Sequence, residues 1–156
     1  MKYLLVLMMI FLSACSESGR IHNSIAPEFE PYLEAFILDS VENGNPQTGK
    51  TIPINFHNLP VKHAQCKNYS FYKDGTKRWE IEILIDPKRW ETLPELNRKS
   101  LIYHELGHCL LSRQHDDTLI SFDLGMIRSS IMNNDSAWTL NGTERDDYYL
   151  NELFNY

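Results

Sequence analysis

The sequence predicts an α+β domain in which three helices pack on one small, twisted, mixed sheet. Two segments near the ends of the chain have apolar residues at helical spacing, and a longer helical segment lies between them. A stretch with strand-like alternation and a tight-turn signal precedes that long segment. With 156 residues, of which 42% are hydrophobic and 23% charged, the chain fits one globular domain.

The first half of the chain provides a helix and the strands. Residues 27–43 have apolar side chains every three or four positions, and the sequence Asn-Gly-Asn-Pro ends this predicted helix. Residues 51–57 predict a short strand. Residues 67–86 predict a hairpin, because Asp74-Gly75 is a two-residue turn signal between two strand-forming arms.

The second half of the chain provides the longest helix and a terminal one. Thr92 and Glu95 match a capping box, which predicts a helix over residues 93–112. Residues 114–142 show no clear period and are expected to be irregular. A last helix is predicted over residues 143–154, so that helices lie on both sides of the predicted strands along the chain, an α+β arrangement.

The N-terminus predicts export. Residues 1–14 place one early cation, Lys2, before an apolar run over residues 3–12. That run is too short to span a bilayer as a helix, and the order of cation and apolar run is typical of a secretory signal peptide.

The end of this signal resembles the lipobox of bacterial lipoproteins. The sequence Leu-Ser-Ala-Cys stands at 12–15. The resemblance implies cleavage before Cys15 and lipidation of its sulfur, and Ser16 resembles the outer-membrane sorting pattern of Gram-negative bacteria. We therefore expect residues 15–26 to form a lipidated tether and residues 27–156 to form the domain, on the periplasmic face or at the cell surface.

The charge distribution limits the classes of partner. The formal net charge is −6 and no basic run occurs in the sequence, which argues against binding to nucleic acid or to an anionic membrane surface. The lipid is then the expected membrane contact, and we expect the protein to be a monomer.

The strongest chemical motif is His-Glu-Leu-Gly-His within the long predicted helix. His104 and His108 stand four residues apart, which places both on one helical face where they can bind one zinc ion. Glu105 projects from the neighbouring face and is predicted to be the general base that takes a proton from the metal-bound water.

Two separate motifs together resemble the metzincin family of zinc metallopeptidases. The sequence HELGH at 104–108 matches the start of the family signature, and SSIMNN at 129–134 is similar to its methionine turn. The resemblance implies a zincin-like fold with the motif on the central helix, His115 as the third zinc ligand, and Met132 in the methionine turn. It also implies cleavage of protein or peptide substrates.

The chain departs from the metzincin pattern after the second histidine. Leu111 stands where the family has a glycine that lets the chain turn out of the helix, and Gln114 stands where it has the third histidine. His115 follows one residue later, so one extra residue in the turn is needed to bring its ring to the metal.

Other residues compete for the third ligand position. Asp116 and Asp117 follow His115 directly, and either carboxylate is a candidate ligand or a partner that orients a histidine. In the gluzincins, a rival family of zinc peptidases, a glutamate on a later helix is the ligand. Glu144 and Glu152 are the two glutamates downstream of the motif.

Two cysteines remain after Cys15. An oxidising compartment favours a disulfide between Cys66 and Cys109, which would join the start of the hairpin to the motif helix. Two alternatives are open: Cys109 is a small apolar core residue, or Cys66 binds the zinc as a thiolate and silences the enzyme.

These features predict a lipid-anchored, zinc-dependent endopeptidase. The peptide is expected to lie extended beside a sheet edge, with residues 79–86 as the predicted edge strand. A zinc-binding but inactive envelope lipoprotein that serves as a scaffold is the second hypothesis, and a metal-free envelope domain is the third. The presence of Glu105 favours the enzyme, since an inactive site has no need of a base.

Overall fold

A computed structural model describes residues 25–123, 125–135 and 139–156. The predicted signal peptide, Cys15 and most of the predicted tether lie outside these residues. The described residues form one turn of 3-10 helix at Pro27–Phe29, followed by four α-helices and five strands. In chain order they are α1 Glu30–Glu42, β1 Ile54–Phe56, β2 Ala64–Lys73, β3 Thr76–Ile85, α2 Pro87–Thr92, α3 Glu95–Leu111, β4 Leu119–Phe122, β5 Gly125–Arg128 and α4 Arg145–Asn155.

The main sheet is mixed and has the strand order β1-β3-β2. Strand β1 is parallel to β3, and β2 is antiparallel to it through the hairpin at Asp74-Gly75. The predicted mixed sheet is thus present, but the prediction that residues 79–86 form an edge is wrong. Strand β3 lies in the centre, because β1 and β2 both bond to it, and the edge strands are β1 and β2.

The α+β class is confirmed, and the predicted count of three helices on one sheet is wrong. The helix that the sequence did not predict is α2. It begins after Asp86, whose carboxylate accepts a hydrogen bond from the backbone N–H of Arg89 at 2.9 Å. Strands β4 and β5 form a second, two-stranded sheet within the segment expected to be irregular. Each of them is only four residues long, which is too short for a clear polar and apolar alternation to stand out.

The predicted capping box is also wrong. Pro94 is the N-cap of α3 and makes no side-chain capping bond. The hydroxyl of Thr92 instead donates to the carbonyl of Arg89, and the carboxylate of Glu95 accepts from the hydroxyl of Tyr32 at 2.8 Å. Glu95 therefore joins α3 to α1 rather than closing its own helix.

One hydrophobic core lies between the main sheet and the helices. Phe36 of α1 packs edge-on against Tyr103 of α3 at 5.2 Å between ring centroids, and it also contacts Phe154 of α4 at 5.0 Å. From the sheet, Ile83 and Ile85 of β3 are fully buried against these helices. The apolar side of α3 packs into this core, and the polar residues of its middle turns are buried as well.

Helix α3 ends in a way that compensates for the missing glycine. Ser112 adopts a left-handed conformation with φ of 57°, and the N–H of Arg113 donates to the carbonyl of Gly107 at 3.0 Å. This is the helix-ending geometry that glycine adopts most easily. A serine performs the turn here, one residue after the position of Leu111. Within the described residues, no helix has the length and apolar character that crossing a membrane requires.

Candidate metal centre

Three histidine side chains converge beside the C-terminal half of α3. The Nε2 atom of His108 lies 3.0 Å from that of His104 and 3.0 Å from that of His115, and the third distance is 3.2 Å. His104 is buried, His108 is half-buried and His115 is exposed, so the cluster opens to the surface on one side. The three side chains lie close enough to bind a metal ion.

Hydrogen bonds on the far side of two rings orient their lone pairs toward the cluster. The Nδ1–H of His104 donates to the carbonyl of Ile131 at 3.0 Å, and the Nδ1–H of His108 donates to the carbonyl of Arg113 at 2.7 Å. A carbonyl oxygen can only accept, so each Nδ1 holds the proton and each neutral ring directs an unprotonated Nε2 inward. This is the usual arrangement of histidines that bind a metal.

The protonation states also suit metal binding. Burial lowers the pKa of His104 to about 4, and it lowers the pKa of His108 as well. Both rings are therefore neutral near pH 7, and their inward nitrogens have lone pairs but no proton to share. Lone pairs this close repel one another unless a cation or a proton lies between them.

The spacing of the nitrogens fits a small tetrahedral cation. Zinc–nitrogen bonds of about 2.0–2.1 Å in tetrahedral geometry place two ligand nitrogens roughly 3.3–3.4 Å apart. The observed separations of 3.0–3.2 Å are slightly shorter than this, so a small outward movement of the rings accommodates the ion. Three imidazoles also suit copper, nickel or iron, so the donor set restricts the metal without naming it.

Two aspartates hold the segment that presents His115. The N–H of Asp116 donates to the carbonyl of Met132 at 3.1 Å, and its carboxylate accepts from the N–H of Thr118 at 2.9 Å. The carboxylate of Asp117 accepts from the N–H of Asn134 at 2.9 Å, which lowers its pKa. The metal-binding group found among the described residues includes neither aspartate. Both carboxylates instead form hydrogen bonds that fix the chain around the third histidine.

The two competing glutamates also lie outside the histidine cluster. One carboxylate oxygen of Glu152 pairs with the guanidinium of Arg113, and the other accepts from the hydroxyl of Ser130 at 2.8 Å. Glu144 is exposed at the start of α4 and lines a separate cavity with Met126. Neither is a member of the metal-binding group.

Met132 lies directly under the motif helix. It is fully buried, and a Cβ atom added at Gly107 would lie 2.5 Å from its sulfur. Glycine at this position therefore lets the methionine side chain pack against the backbone of α3. The preceding residue, Ile131, provides the carbonyl that orients His104. The segment around Met132 thus packs against α3 and orients His104 through the carbonyl of Ile131.

Glu105 faces the same cavity as the histidines. Its side chain is 6% exposed, and its Oε2 accepts a hydrogen bond from the backbone N–H of Cys66 at 2.5 Å. Burial raises the pKa of the carboxyl to about 7, although the Cys66 N–H opposes that rise. The cavity of about 610 Å³ is lined by all three histidines, by Glu105 and by the start of β2.

Cys66 and Cys109 form a disulfide between β2 and α3. The sulfur of Cys66 is therefore not available as a thiolate for the metal, and Cys109 is both a core residue and a bonded one. The structure therefore contains neither an unbonded Cys109 nor a Cys66 thiolate that binds the metal.

Sequence patterns did not reveal every residue that builds the site. Arg113 is 8% exposed and joins the loop after α3 to α4, where it donates to the carbonyls of Glu152 and Leu153. Lys62 lines the cavity and lies near enough to Glu105 to lower its pKa. Neither residue belongs to a motif or a periodic pattern, so the sequence contains no signal for their positions.

A scan against protein-family models, a search of curated proteins and a search of solved structures each gave no match to this chain.

Proposed function

We propose that this protein is a zinc-dependent endopeptidase. The supporting observation is the meeting of three inward-facing imidazole nitrogens and one buried carboxylate, that of Glu105, at the edge of a single open cavity. Three neutral imidazoles are a common protein donor set for a catalytic zinc ion, because they leave a fourth position open. The resemblance to metzincins in the motifs HELGH and SSIMNN supports zinc and peptide hydrolysis over other metals and reactions.

His104, His108 and His115 would hold the metal, and Glu105 would move the proton. When bound, zinc lowers the pKa of a water molecule to near 7 and polarises a carbonyl oxygen. Burial raises the pKa of the Glu105 carboxyl, and a carboxylate with a raised pKa is a stronger acceptor for a proton from the attacking water. The same carboxyl then donates that proton to the leaving amine, which restores the base.

Strand β2 is the edge on which an extended peptide substrate would lie. It is an edge strand of the main sheet, and residues at its start line the cavity. Residues that do not exchange hydrogen bonds with β3 direct their backbone groups outward, and Ala64 and Cys66 belong to that set. The N–H of Cys66 already donates to Glu105, so it is not available to a peptide. A peptide paired with this edge would place one of its carbonyl groups beside Glu105 by strand addition.

Replacing Glu105 by glutamine tests the proposal. Removal of the base should lower kcat by about 10²–10⁴-fold. Bound zinc should stay at one per chain, because the three histidines remain. Zinc content by atomic emission and cleavage of unfolded protein substrates are the measurements. Glu91→Gln, an exposed glutamate on α2, is the matched control and should change neither quantity.

The outcomes separate the three hypotheses. A purified protein without zinc contradicts both the enzyme and the zinc-binding scaffold. Bound zinc with no Glu105-dependent cleavage of any protein substrate contradicts the enzyme and supports the scaffold.

We also propose that a lipid on Cys15 anchors the enzyme to the outer membrane. The proposal rests on the sequence Leu-Ser-Ala-Cys at 12–15 and on Ser16. Cells that produce the protein should incorporate labelled palmitate into it, and a Cys15→Ser variant should lose that label. Equal labelling of both proteins would contradict the proposal.

A further inference from the structure

Cys66 contacts the motif helix through both its backbone and its side chain. Its N–H donates to Oε2 of Glu105 at 2.5 Å, across 39 positions of sequence. Its sulfur is bonded to Cys109, which lies one turn further along α3 on the same side as Glu105. One residue of β2 is therefore held at two consecutive turns of the helix that carries the proposed base.

The sheet register explains why this N–H points at the helix. The carbonyl of His63 accepts from the N–H of Asp86 at 2.9 Å, so this opposed pair is hydrogen-bonded. Pairs alternate along an antiparallel ladder, which makes the pair of Cys66 and Ile83 a non-bonded one. The N–H of Ile83 bonds to Pro53 on its other side, in agreement with this. The N–H of Cys66 is consequently turned away from β3, toward α3.

This hydrogen bond fixes the orientation of the carboxylate. A carboxylate has two oxygens, and a donor on Oε2 leaves the other one for a proton in transit. The bond is charge-assisted when Glu105 is ionised, which makes it stronger than a bond between neutral groups. A buried carboxylate without this donor has more than one rotamer available, and only some of them reach the attacking water.

We propose that Cys66 is a positioning residue for Glu105, and that the disulfide to Cys109 holds its backbone N–H in place. This inference rests on the proposed function, because it concerns the orientation of the proposed base. The disulfide then has a role in turnover in addition to any role in stability. Neither sulfur belongs to the group of three histidines that would hold the metal, although Cys66 lines the same cavity.

Kinetics of disulfide-free protein test the effect on turnover. In the variant Cys66→Ser with Cys109→Ser, kcat should fall by about 10–100-fold, the range expected when a supporting residue lets a catalytic group move. KM should stay within twofold, and zinc content should not change. A purely structural disulfide would instead lower the fraction of folded enzyme without changing kcat per folded molecule, which circular dichroism and active-site titration with zinc would show.

A second measurement keeps the test valid if the double variant does not fold. The wild-type protein is treated with a water-soluble phosphine under native conditions and then reoxidised. Turnover should fall on reduction and return on reoxidation, whereas the double variant, if folded, should not respond. Unchanged kcat in protein shown to be fully reduced by thiol titration would overturn the proposal.

Amide resonances test the contact without any reference to activity. In ¹H–¹⁵N spectra the Cys66 amide proton should lie downfield and exchange slowly. It should move upfield in Glu105→Gln, and its exchange should accelerate in Glu105→Ala and in reduced protein. The amide of Lys67, which faces β3, is the internal control and should be unaffected.

The spectra also separate this inference from the proposed function. If the protein cleaves no substrate but the Cys66 amide responds to Glu105 and to the disulfide as stated, the proposed function fails while the positioning contact stands. An amide that does not respond to Glu105→Ala overturns the positioning role whatever the activity.

Discussion

Replacing His115 by alanine should abolish stoichiometric zinc binding and peptide cleavage together. The Nε2 of His115 lies 3.0 and 3.2 Å from the other two ring nitrogens, so its loss leaves two ligands and an open side. Loss of a group that only supports a ligand costs roughly 10–100-fold in metal affinity, and loss of a ligand itself should exceed that range. Equilibrium dialysis against a zinc buffer, followed by metal analysis of the protein, measures the change.

The competing residues provide matched controls for His115. Asp117→Asn removes a charge two residues away, and its hydrogen bond to the Asn134 N–H is weakened but not lost. Glu144→Gln changes an exposed residue at the start of α4. Both variants should keep one zinc per chain. Stoichiometric zinc in His115→Ala, or zinc loss in either control, would contradict the assignment of the third ligand.

Replacing Glu152 by alanine should cause the largest loss of stability. Its carboxylate forms an ion pair with Arg113, and the two side chains are only 13% and 8% exposed. Removing one partner of a buried pair leaves an uncompensated charge and costs about 3–5 kcal/mol. Glu152 also accepts from the hydroxyl of Ser130, so the segment before Met132 loses its link to α4. Urea unfolding followed by circular dichroism measures the free energy of unfolding.

An exposed ion pair is the control for Glu152. Lys67 and Glu82 approach to 3.7 Å with side chains 48% and 21% exposed. Glu82→Ala should change the free energy of unfolding by less than about 1 kcal/mol, because solvent screens such pairs. Equal losses in the two variants would show that the pair of Arg113 and Glu152 is not effectively buried in solution.

The parts of the site that the sequence predicted are those set by local geometry. His104 and His108 share a helical face because a helix repeats every 3.6 residues, and that relation needs no knowledge of the rest of the fold. Asp74-Gly75 predicted the hairpin for the same reason, since a two-residue turn fixes the register of its arms.

The parts that the sequence did not predict depend on contacts between distant segments. The position of β3 in the centre of the sheet depends on its pairing with β1, which no local pattern reveals. The same holds for the ion pair of Arg113 and Glu152, which are 39 positions apart, and the sequence predicted only Glu152, as a candidate ligand. The short strands β4 and β5 pair mainly with each other and are too short for periodicity to stand out.

The sequence predicted in part how the chain turns at the end of α3. One extra residue between the helix and His115 requires the chain to leave the helix late, and the structure ends α3 at Leu111 with Ser112 left-handed. The missing glycine therefore did not prevent the turn. A left-handed serine costs roughly 1–2 kcal/mol relative to a relaxed conformation, and the surrounding hydrogen bonds offset that cost.

The histidines lie close to one another along the chain, whereas the backbone carbonyl that orients His104 comes from a more distant segment. His104 and His115 are 11 positions apart, whereas the carbonyl that orients His104 is 27 positions away. Closing a loop of 11 residues costs less entropy than ordering the segments that bring Ile131 and α4 into place. The ring of His104 is therefore oriented only once the segment around Ile131 has docked on α3.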